Sequence, residues 1–350
     1  MQSPLLAWLT NEELLNQLMA GLPLWGLLLI MAACVAVLSL GANKMIDGAV
    51  SLALHTGLPR MVIGATIISL GTTTPEAFVS VLAAWTGNSG LALGNGVGSI
   101  ICDTGLIFGL MAVSRRVPVQ RYILGRTGWV QVGAATLLVA ISVAALFLGQ
   151  GRPVLGRGVG AFLLVLLVLY LYMSYRWVRQ SGGGRMGQDL AAEHHAGPLK
   201  SAVYIVLGLA GVLAGSRVLI PCAVEGAVRI GVPQDIIAAT LVAFGTSLPE
   251  LVTAISAVKK GHPQIMVGNV VGADVLNCLF VIGAAAAARP LEVPPNFFFF
   301  HYPAMLLILF SFRVFISLDR DGWFRRWQGA WMLGVYLLYV VLQYTLGLGG

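Results

Sequence analysis

Charge is what this chain has least of. Only 10% of its 350 residues are Asp, Glu, Lys or Arg, against roughly 25% in an ordinary soluble domain. Meanwhile 58% are hydrophobic, and mean hydropathy is +0.87. A water-soluble fold of this length needs a more charged exterior, so soluble enzyme, disordered tail and coiled coil are excluded together. Paired cysteines are missing too. Cys34, Cys102, Cys222 and Cys278 lie singly in apolar stretches with no CxxC spacing, which excludes a disulfide framework or thiolate metal site. Polar–apolar alternation is absent: the apolar runs are continuous, which excludes a transmembrane barrel. The first twenty residues have no basic start and carry Glu12 and Glu13, so they do not read as a cleavable signal peptide. What is left is an all-α polytopic membrane protein.

A spanning helix needs about 20 apolar residues, and the apolar blocks place ten spans near residues 22–56, 60–86, 90–113, 128–149, 155–177, 200–230, 234–258, 264–287, 297–317 and 328–347. The sequence therefore divides into an N-terminal segment 1–21, a five-helix unit 22–178, a Gly-rich polar connector 179–199, and a second five-helix unit 200–350. The net charge of +7 points to basic loops that hold orientation in a bilayer, not to nucleic acid. Loops on one side carry Arg60, Arg115, Arg116, Arg121, Arg126, Arg176, Arg179, Arg185, Lys200, Lys259, Lys260, Arg313, Arg320, Arg325 and Arg326, and those on the other only Arg152, Arg157, Arg229 and Arg289. The expected topology puts the basic side and the 179–199 connector in the cytoplasm and both termini outside, in a bacterial or archaeal inner membrane. Trp323, Trp327 and Trp331 fit an interfacial aromatic belt.

The two units repeat each other. Shifted by 174 residues, Gly41–Leu110 lies on Gly215–Ala284 without a gap, and the matches fall on Gly, Pro, Asn, Thr and Glu rather than on generic apolar positions. Gly71-Thr72-Thr73-Thr74-Pro75-Glu76 meets Gly245-Thr246-Ser247-Leu248-Pro249-Glu250, and Gly94-Asn95-Gly96-Val97-Gly98 meets Gly268-Asn269-Val270-Val271-Gly272. With five spans per unit, the second must enter the membrane from the opposite face. The expected fold is ten transmembrane helices as two inverted-topology five-helix repeats with broken helices at the midplane, an arrangement of secondary transporters that puts the site where the halves meet.

Glu76 and Glu250 fall in mid-span, where an ionised side chain is expensive and ordinarily faces a cavity and binds something. Lys44 and Arg217 are the cations inside spans, and neither occupies the other's repeat position. A repeated carboxylate without a repeated cation points to an external cation. Pro75 and Pro249 predict helix breaks around Thr72–Pro75 and Thr246–Pro249, freeing carbonyls beside the hydroxyls of Thr72, Thr73, Thr246 and Ser247. Ser99 and Asp103, four apart, share a helix face, and their counterparts are Ala273 and Asn277. This hard, all-oxygen set suits Ca2+, which takes about six to eight oxygens, and suits Na+ also. Gly94, Gly98, Gly268 and Gly272 read as close-packing positions, Asp274 as structural, and Lys44 and Asp47 as an i, i+3 pair.

These motifs resemble those of the cation/calcium exchanger superfamily, in particular the prokaryotic sodium/calcium exchangers, whose paired signatures read GTSxPE and GNxxGSNxxN. Here they stand as GTTTPE with GNGVGSIICD and GTSLPE with GNVVGADVLN. The resemblance implies ten helices in two inverted halves and four adjacent cation sites, with no cofactor beyond the transported ions. It places the central calcium-binding acids at Glu76 and Glu250, hydroxyl and carbonyl ligands at Thr72, Thr73, Thr246 and Ser247, and second-motif positions at Ser99, Asp103, Ala273 and Asn277. It implies exchange of Ca2+ for several Na+. Three departures stand out: Thr73 for Ser, Ala273 for Ser, and the Asp of the second motif in the first half, at Asp103. A second reading keeps the calcium antiporter but couples it to H+ or K+ through Asp103 or Asp274; the GNxxE motif of proton-coupled relatives is absent here. An intramembrane hydrolase using Glu76 and Glu250 is a remote third reading, since no His or Lys stands at the motifs to activate a hydroxyl. A passive channel would have no need of an occluding pair of broken helices.

Overall fold

The computed structural model describes residues 17–56, 58–149, 153–180, 197–229, 243–318 and 321–345. Most of the N-terminal segment 1–21, most of the connector 179–199 and the stretch 230–242 that opens the expected seventh span lie outside the described residues. The long helices are α1 Leu24–Thr56, α2 Arg60–Thr86, α3 Ser89–Ser114, α4 Arg121–Leu148, α5 Arg157–Gln180 and α6 Pro198–Arg229. After a helical turn, Ala243–Thr246, come α7 Leu248–Lys259, α8 Pro263–Ala288, α9 Phe297–Leu318 and α10 Arg326–Thr345. Among the described residues, eight helices are long and apolar enough to cross a membrane: α1 to α6, α8 and α9. The 12-residue α7, which begins just after Ser247, is too short to count among them. The 20-residue α10 is diluted by Arg326, Gln328, Gln343 and three tyrosines. The chain is an all-helical polytopic membrane protein.

Burial separates the helices by role. Leu28, Leu29 and Leu40 of α1, Val165 and Val168 of α5, and Val206 and Leu207 of α6 are exposed, an apolar exterior that only lipid solvates well. Helices α3 and α8 are mostly buried and form the centre. Glycines set the contacts there. A Cβ on Gly64 of α2 would strike the Ile265 carbonyl of α8, and one on Gly268 would strike the Met61 carbonyl of α2, so these backbones touch with no room for a side chain. Gly272 packs likewise on Ala65, whereas Gly94 and Gly98 meet nothing within 4 Å among the described residues. Helices α1 and α6 meet at Gly41, where a Cβ would lie 2.7 Å from the Gly208 carbonyl.

The connections are tight. Gly87 ends α2 in the left-handed region, φ 89°, and Asn88 caps α3 by accepting the Leu91 N–H at 3.0 Å. Gly261, which matches Gly87 in the repeat, has φ 77°, and Pro263 then opens α8. Positive φ is cheap only for glycine. Two-residue strands clip the loops together: β1 Val117–Pro118 pairs with β4 Trp323–Phe324, and β2 Val154–Leu155 with β3 Leu291–Glu292, both antiparallel.

The expected break at Thr72–Pro75 does not form; helix runs from Arg60 through Thr86. Pro75 has no N–H to give the Gly71 carbonyl. A π-helical turn at Gly64–Ile68 sits one turn ahead, and Thr72 and Thr74 bond back to the carbonyls of Ile68 (3.2 Å) and Leu70 (2.6 Å). These local bonds hold the helix through the proline. The second expected break is one residue wide: Ser247, at φ −85° and ψ 7°, separates the Ala243–Thr246 turn from α7. Further π-helical turns stand at Cys102–Phe108 and Asn277–Val281. The expected Lys44–Asp47 pair also gives way: Asp47 pairs with Lys260, and Lys44 lies over the Tyr204 ring, 4.9 Å from its centroid.

Candidate functional site

Four helices carry the polar core. On α2, Thr72, Thr73, Glu76 and Ser80 follow helical spacing and are all buried. On α3, Ser99 and Asp103 lie one turn apart and are buried, with Thr104 beside them. Ser247 and Glu250 come from the start of α7, followed by buried Thr253. On α8, Asn269, Asp274 and Asn277 are buried. Asp103 and Asn277, matched in the repeat, both fall in π-helical turns. Such turns widen the ring and free a carbonyl, and they recur at functional sites. Thr246 is only half-buried, unlike its counterpart Thr72, and Ala273 is fully buried and supplies no side-chain oxygen.

The motifs interlock across the two halves. The Thr72 hydroxyl, besides its bond to Ile68, lies 3.4 Å from Asn269 Oδ1 of α8 as a donor. Ser247 Oγ lies 3.4 Å from Ser99 Oγ. Within the first half, Asn95 Nδ2 donates to the Glu76 carbonyl (3.0 Å) and to Ser80 Oγ (2.9 Å), fixing α3 against α2 at the carboxylate. Glu76 is within electrostatic range of Glu250 and Asp103, and Asp103 of Glu250 and Asp274.

Among the described residues, the buried carboxylate oxygens without a partner gather in this cluster. Both carboxylate oxygens of Glu76, both of Asp103, Oε2 of Glu250, Oδ1 of Asn277 and the Thr73 hydroxyl are buried with no partner. Buried polar atoms are nearly always bonded, and an unpaired buried charge is far more costly than an unpaired neutral group. Neither Lys44 nor Arg217 reaches the oxygens of Glu76 or Asp103. Among the described residues, no three His, Cys, Asp or Glu side chains converge closely enough to hold a metal ion by themselves. The oxygens on offer are mixed: carboxylate, hydroxyl and amide.

Asp274 behaves differently. Its Oδ2 accepts from the Thr104 hydroxyl and from Gln131 Nε2 of α4 at 2.5 Å, while its Oδ1 has no partner. Thr104, Gln131, Ser80 and Thr253 escape the sequence reasoning. Gln131 alone left a signal there, as a lone amide in an apolar span. Asn95 and Asn269 were visible as the Asn of each Gly-Asn pair, without an assigned contact. All four cysteines are free and buried.

Comparison with known proteins places this site in a family. The family model described as sodium/calcium exchanger protein matches residues 26–176 and 200–345. Inner membrane protein YrbG of Escherichia coli is 31% identical over 78% of this chain and 82% of its own length. Sodium/calcium exchanger MaX1 of Methanosarcina acetivorans is 26% identical over 77% of this chain and 85% of its own. Solved structures of the sodium-calcium exchanger NCX_Mj superpose with a TM-score of 0.76 at 24% identity, covering 91% of this chain and 99% of that one, which is a likeness of fold. The chain belongs to the sodium/calcium exchanger family, multi-pass membrane proteins that work as ion antiporters and not as enzymes.

Proposed function

We propose that this chain is a secondary active antiporter that exchanges Ca2+ for Na+ by alternating access. The ions are its cargo, and no resident cofactor takes part. The observation that carries this reading is the set of buried, unpartnered oxygens on Glu76, Asp103 and Glu250, in a chain whose family exchanges these ions. The coordinating set is Glu76, Glu250, Asp103, Asn277, Ser99, Thr72, Thr73, Thr246 and Ser247. Three carboxylates and several neutral oxygens satisfy one Ca2+ or several Na+, and the two cargoes compete for the same oxygens. Bound cations neutralise the acids and permit the site to close. An empty site resists closure, because burying bare carboxylates is costly. Exchange rather than leak follows from that penalty.

The architecture in this reading is ten helices in two inverted halves, 22–178 and 200–350, joined by a cytoplasmic connector 179–199 and preceded by an outer segment 1–21, in the inner membrane with both termini outside. Backbone contacts support it. A Cβ on Gly160 of α5 would lie 2.6 Å from the Gly283 carbonyl and 2.8 Å from Ala286, and one on Gly329 of α10 would lie 2.8 Å from the Gly109 carbonyl and 2.8 Å from Ala112. Gly283 and Ala286 are Gly109 and Ala112 shifted by 174 residues; Gly160 and Gly329 are 169 apart, as are β2 and β4. The same contact is thus made twice, each time by one half upon the other. The strand pairs follow the same exchange, β1 with β4 and β3 with β2.

The test is 45Ca2+ uptake into proteoliposomes loaded with Na+, with K+, or with a proton gradient, beside the Glu76→Gln protein. Uptake that requires internal Na+ and vanishes in Glu76→Gln is the expected result. Absence of calcium flux under every gradient overturns the assignment. A second reading, coupling to H+ or K+, is favoured by one observation: Asp274 is a further buried acid with a free oxygen. Uptake driven by K+ or by protons alone selects it.

A further inference from the structure

Helices α4 and α9 carry a stripe of alternating rings and guanidinium groups that ion exchange does not use. Tyr122, Arg126 and Trp129 follow each other at i, i+4 and i+7 along one face of α4. The Arg126 guanidinium lies over the Tyr122 ring, 3.9 Å from its centroid, and donates to the Tyr122 carbonyl at 3.1 Å. Arg313 of α9 lies over the Trp129 ring at 4.4 Å. Gly128 makes the crossing possible: a Cβ there would already lie 3.3 Å from Ile316 and 3.7 Å from the Arg313 stem.

The stripe faces outward from the bundle. Tyr122 is 42% exposed and Trp129 59%, beside exposed Phe310 and Val314 of α9. Arg313 sits five residues before the end of α9, and its Nε is buried without a partner. No carboxylate forms an ion pair with Arg126 or Arg313 among the described residues. Asp321, three residues past the end of α9, is bonded to Arg325, and Asp47 to Lys260. A cation stacked on an aromatic face keeps its in-plane N–H groups free for an anion, and guanidinium groups match the oxygens of a phosphate.

We infer that this stripe binds the phosphate of an anionic phospholipid, held between α4 and α9 where the apolar flank of each helix takes the acyl chains. The occupant is a lipid rather than a free anion because the surface around the two arginines is apolar and exposed, with Trp129, Phe310 and Val314 beside them. Trp129 is two residues from Gln131, the partner of Asp274, so the lipid grips the helix that touches the polar core.

Native mass spectrometry of the detergent-purified full chain tests this, with phosphatidylglycerol, phosphatidylcholine or inorganic phosphate added. Phosphatidylglycerol adducts should survive where phosphatidylcholine adducts do not. Arg126→Gln and Arg313→Gln should each weaken retention about fivefold, the weight of one cationic side chain against an anionic membrane surface. Arg313→Lys, which keeps charge but loses the planar stack, should fall between. Arg126→Gln carries the test if the Arg313 variants fail to fold, since Arg126 is half-exposed. Equal retention of phosphatidylcholine, unchanged phosphatidylglycerol retention in Arg126→Gln, or displacement of the lipid by equimolar inorganic phosphate would each overturn the inference.

Discussion

Ser99 and Ser247 stand with their hydroxyl oxygens 3.4 Å apart, buried, one from each half of the chain. Neither belongs to the other's repeat: Ser99 matches Ala273, and Ser247 matches Thr73. The contact is therefore made on one side of the site only. The matched position on the other side has the Ala273 methyl group in place of a hydroxyl.

That asymmetry predicts the effect of restoring the oxygen. Ala273→Ser should lower the Na+ concentration that half-saturates exchange. In the ion-free protein its hydroxyl would stand opposite that of Thr73, as Ser99 stands opposite Ser247, so stability should change by less than the roughly 1–3 kcal/mol that an unpartnered buried hydroxyl costs. Sodium titration of 45Ca2+ flux and a melting curve without Na+ check the two halves of this prediction. An unchanged sodium dependence would remove position 273 from the ion path.

Removing charge from the core should separate transport from stability. Glu76→Gln and Glu250→Gln should abolish calcium exchange, yet melt no lower than the parent protein in cation-free buffer, since each deletes a buried carboxylate with a free oxygen. The parent alone should gain about 2.7 kcal/mol from calcium at a hundred times its dissociation constant. Melting temperatures with and without Ca2+ in all three proteins decide it. Calcium stabilisation retained in both variants would place the ion elsewhere.

Charge position can be tested by exchange. Asp103→Asn should impair coupling by reducing the negative charge of the site. Adding Asn277→Asp to it should restore transport, because both positions lie in π-helical turns at matched places. Failure of the double variant to recover flux would mean that the halves are not equivalent at this level.

Asp274→Asn distinguishes the two coupling readings. Asparagine keeps an acceptor for Thr104 and Gln131 but removes the charge. Sodium-driven uptake should persist, with the same sodium dependence. Loss of flux that a proton gradient otherwise drives would assign coupling to Asp274 instead.

Close packing makes the last prediction. Gly268→Val pushes a branched side chain into the Met61 carbonyl and should destabilise by about 3 kcal/mol or more, beyond the usual range of 1–3 for overpacking, because backbone cannot yield as a side chain does. Gly133, which has open space around it, should accept Ala without loss. Folded yield from the same membrane preparation compares them.

Most helix positions were legible because one signal is strong and local, although α4 begins at Arg121, seven residues before the expected 128. A bilayer demands about 20 apolar residues per span, and the expected 60–86 and 264–287 differ from Arg60–Thr86 and Pro263–Ala288 by a residue or none at each end. That Glu76 and Glu250 would be buried together with other polar groups was legible because a repeated Glu in hydrocarbon has few explanations. The course of α2 through Pro75 was not. A proline signals a break, but whether the helix breaks depends on which hydroxyls and π-helical turns hold the neighbouring carbonyls, and those bonds depend on conformation.

The partners were decided only in three dimensions. Nothing in the spacing of Lys44 and Asp47 shows that Lys260, more than 200 residues away, takes the aspartate, or that Tyr204 receives the lysine. Gln131 and Thr104 meet Asp274 only because α3, α4 and α8 converge. The sequence by itself determined the solvent, most of the apolar segments, the repeat within the sequence and the mid-span acids, since these follow from composition and periodicity along the chain. Tertiary structure decided which oxygens face one another and which remain unpaired, because hydrogen bonds of a few ångströms depend on how glycine-lined helices close upon each other.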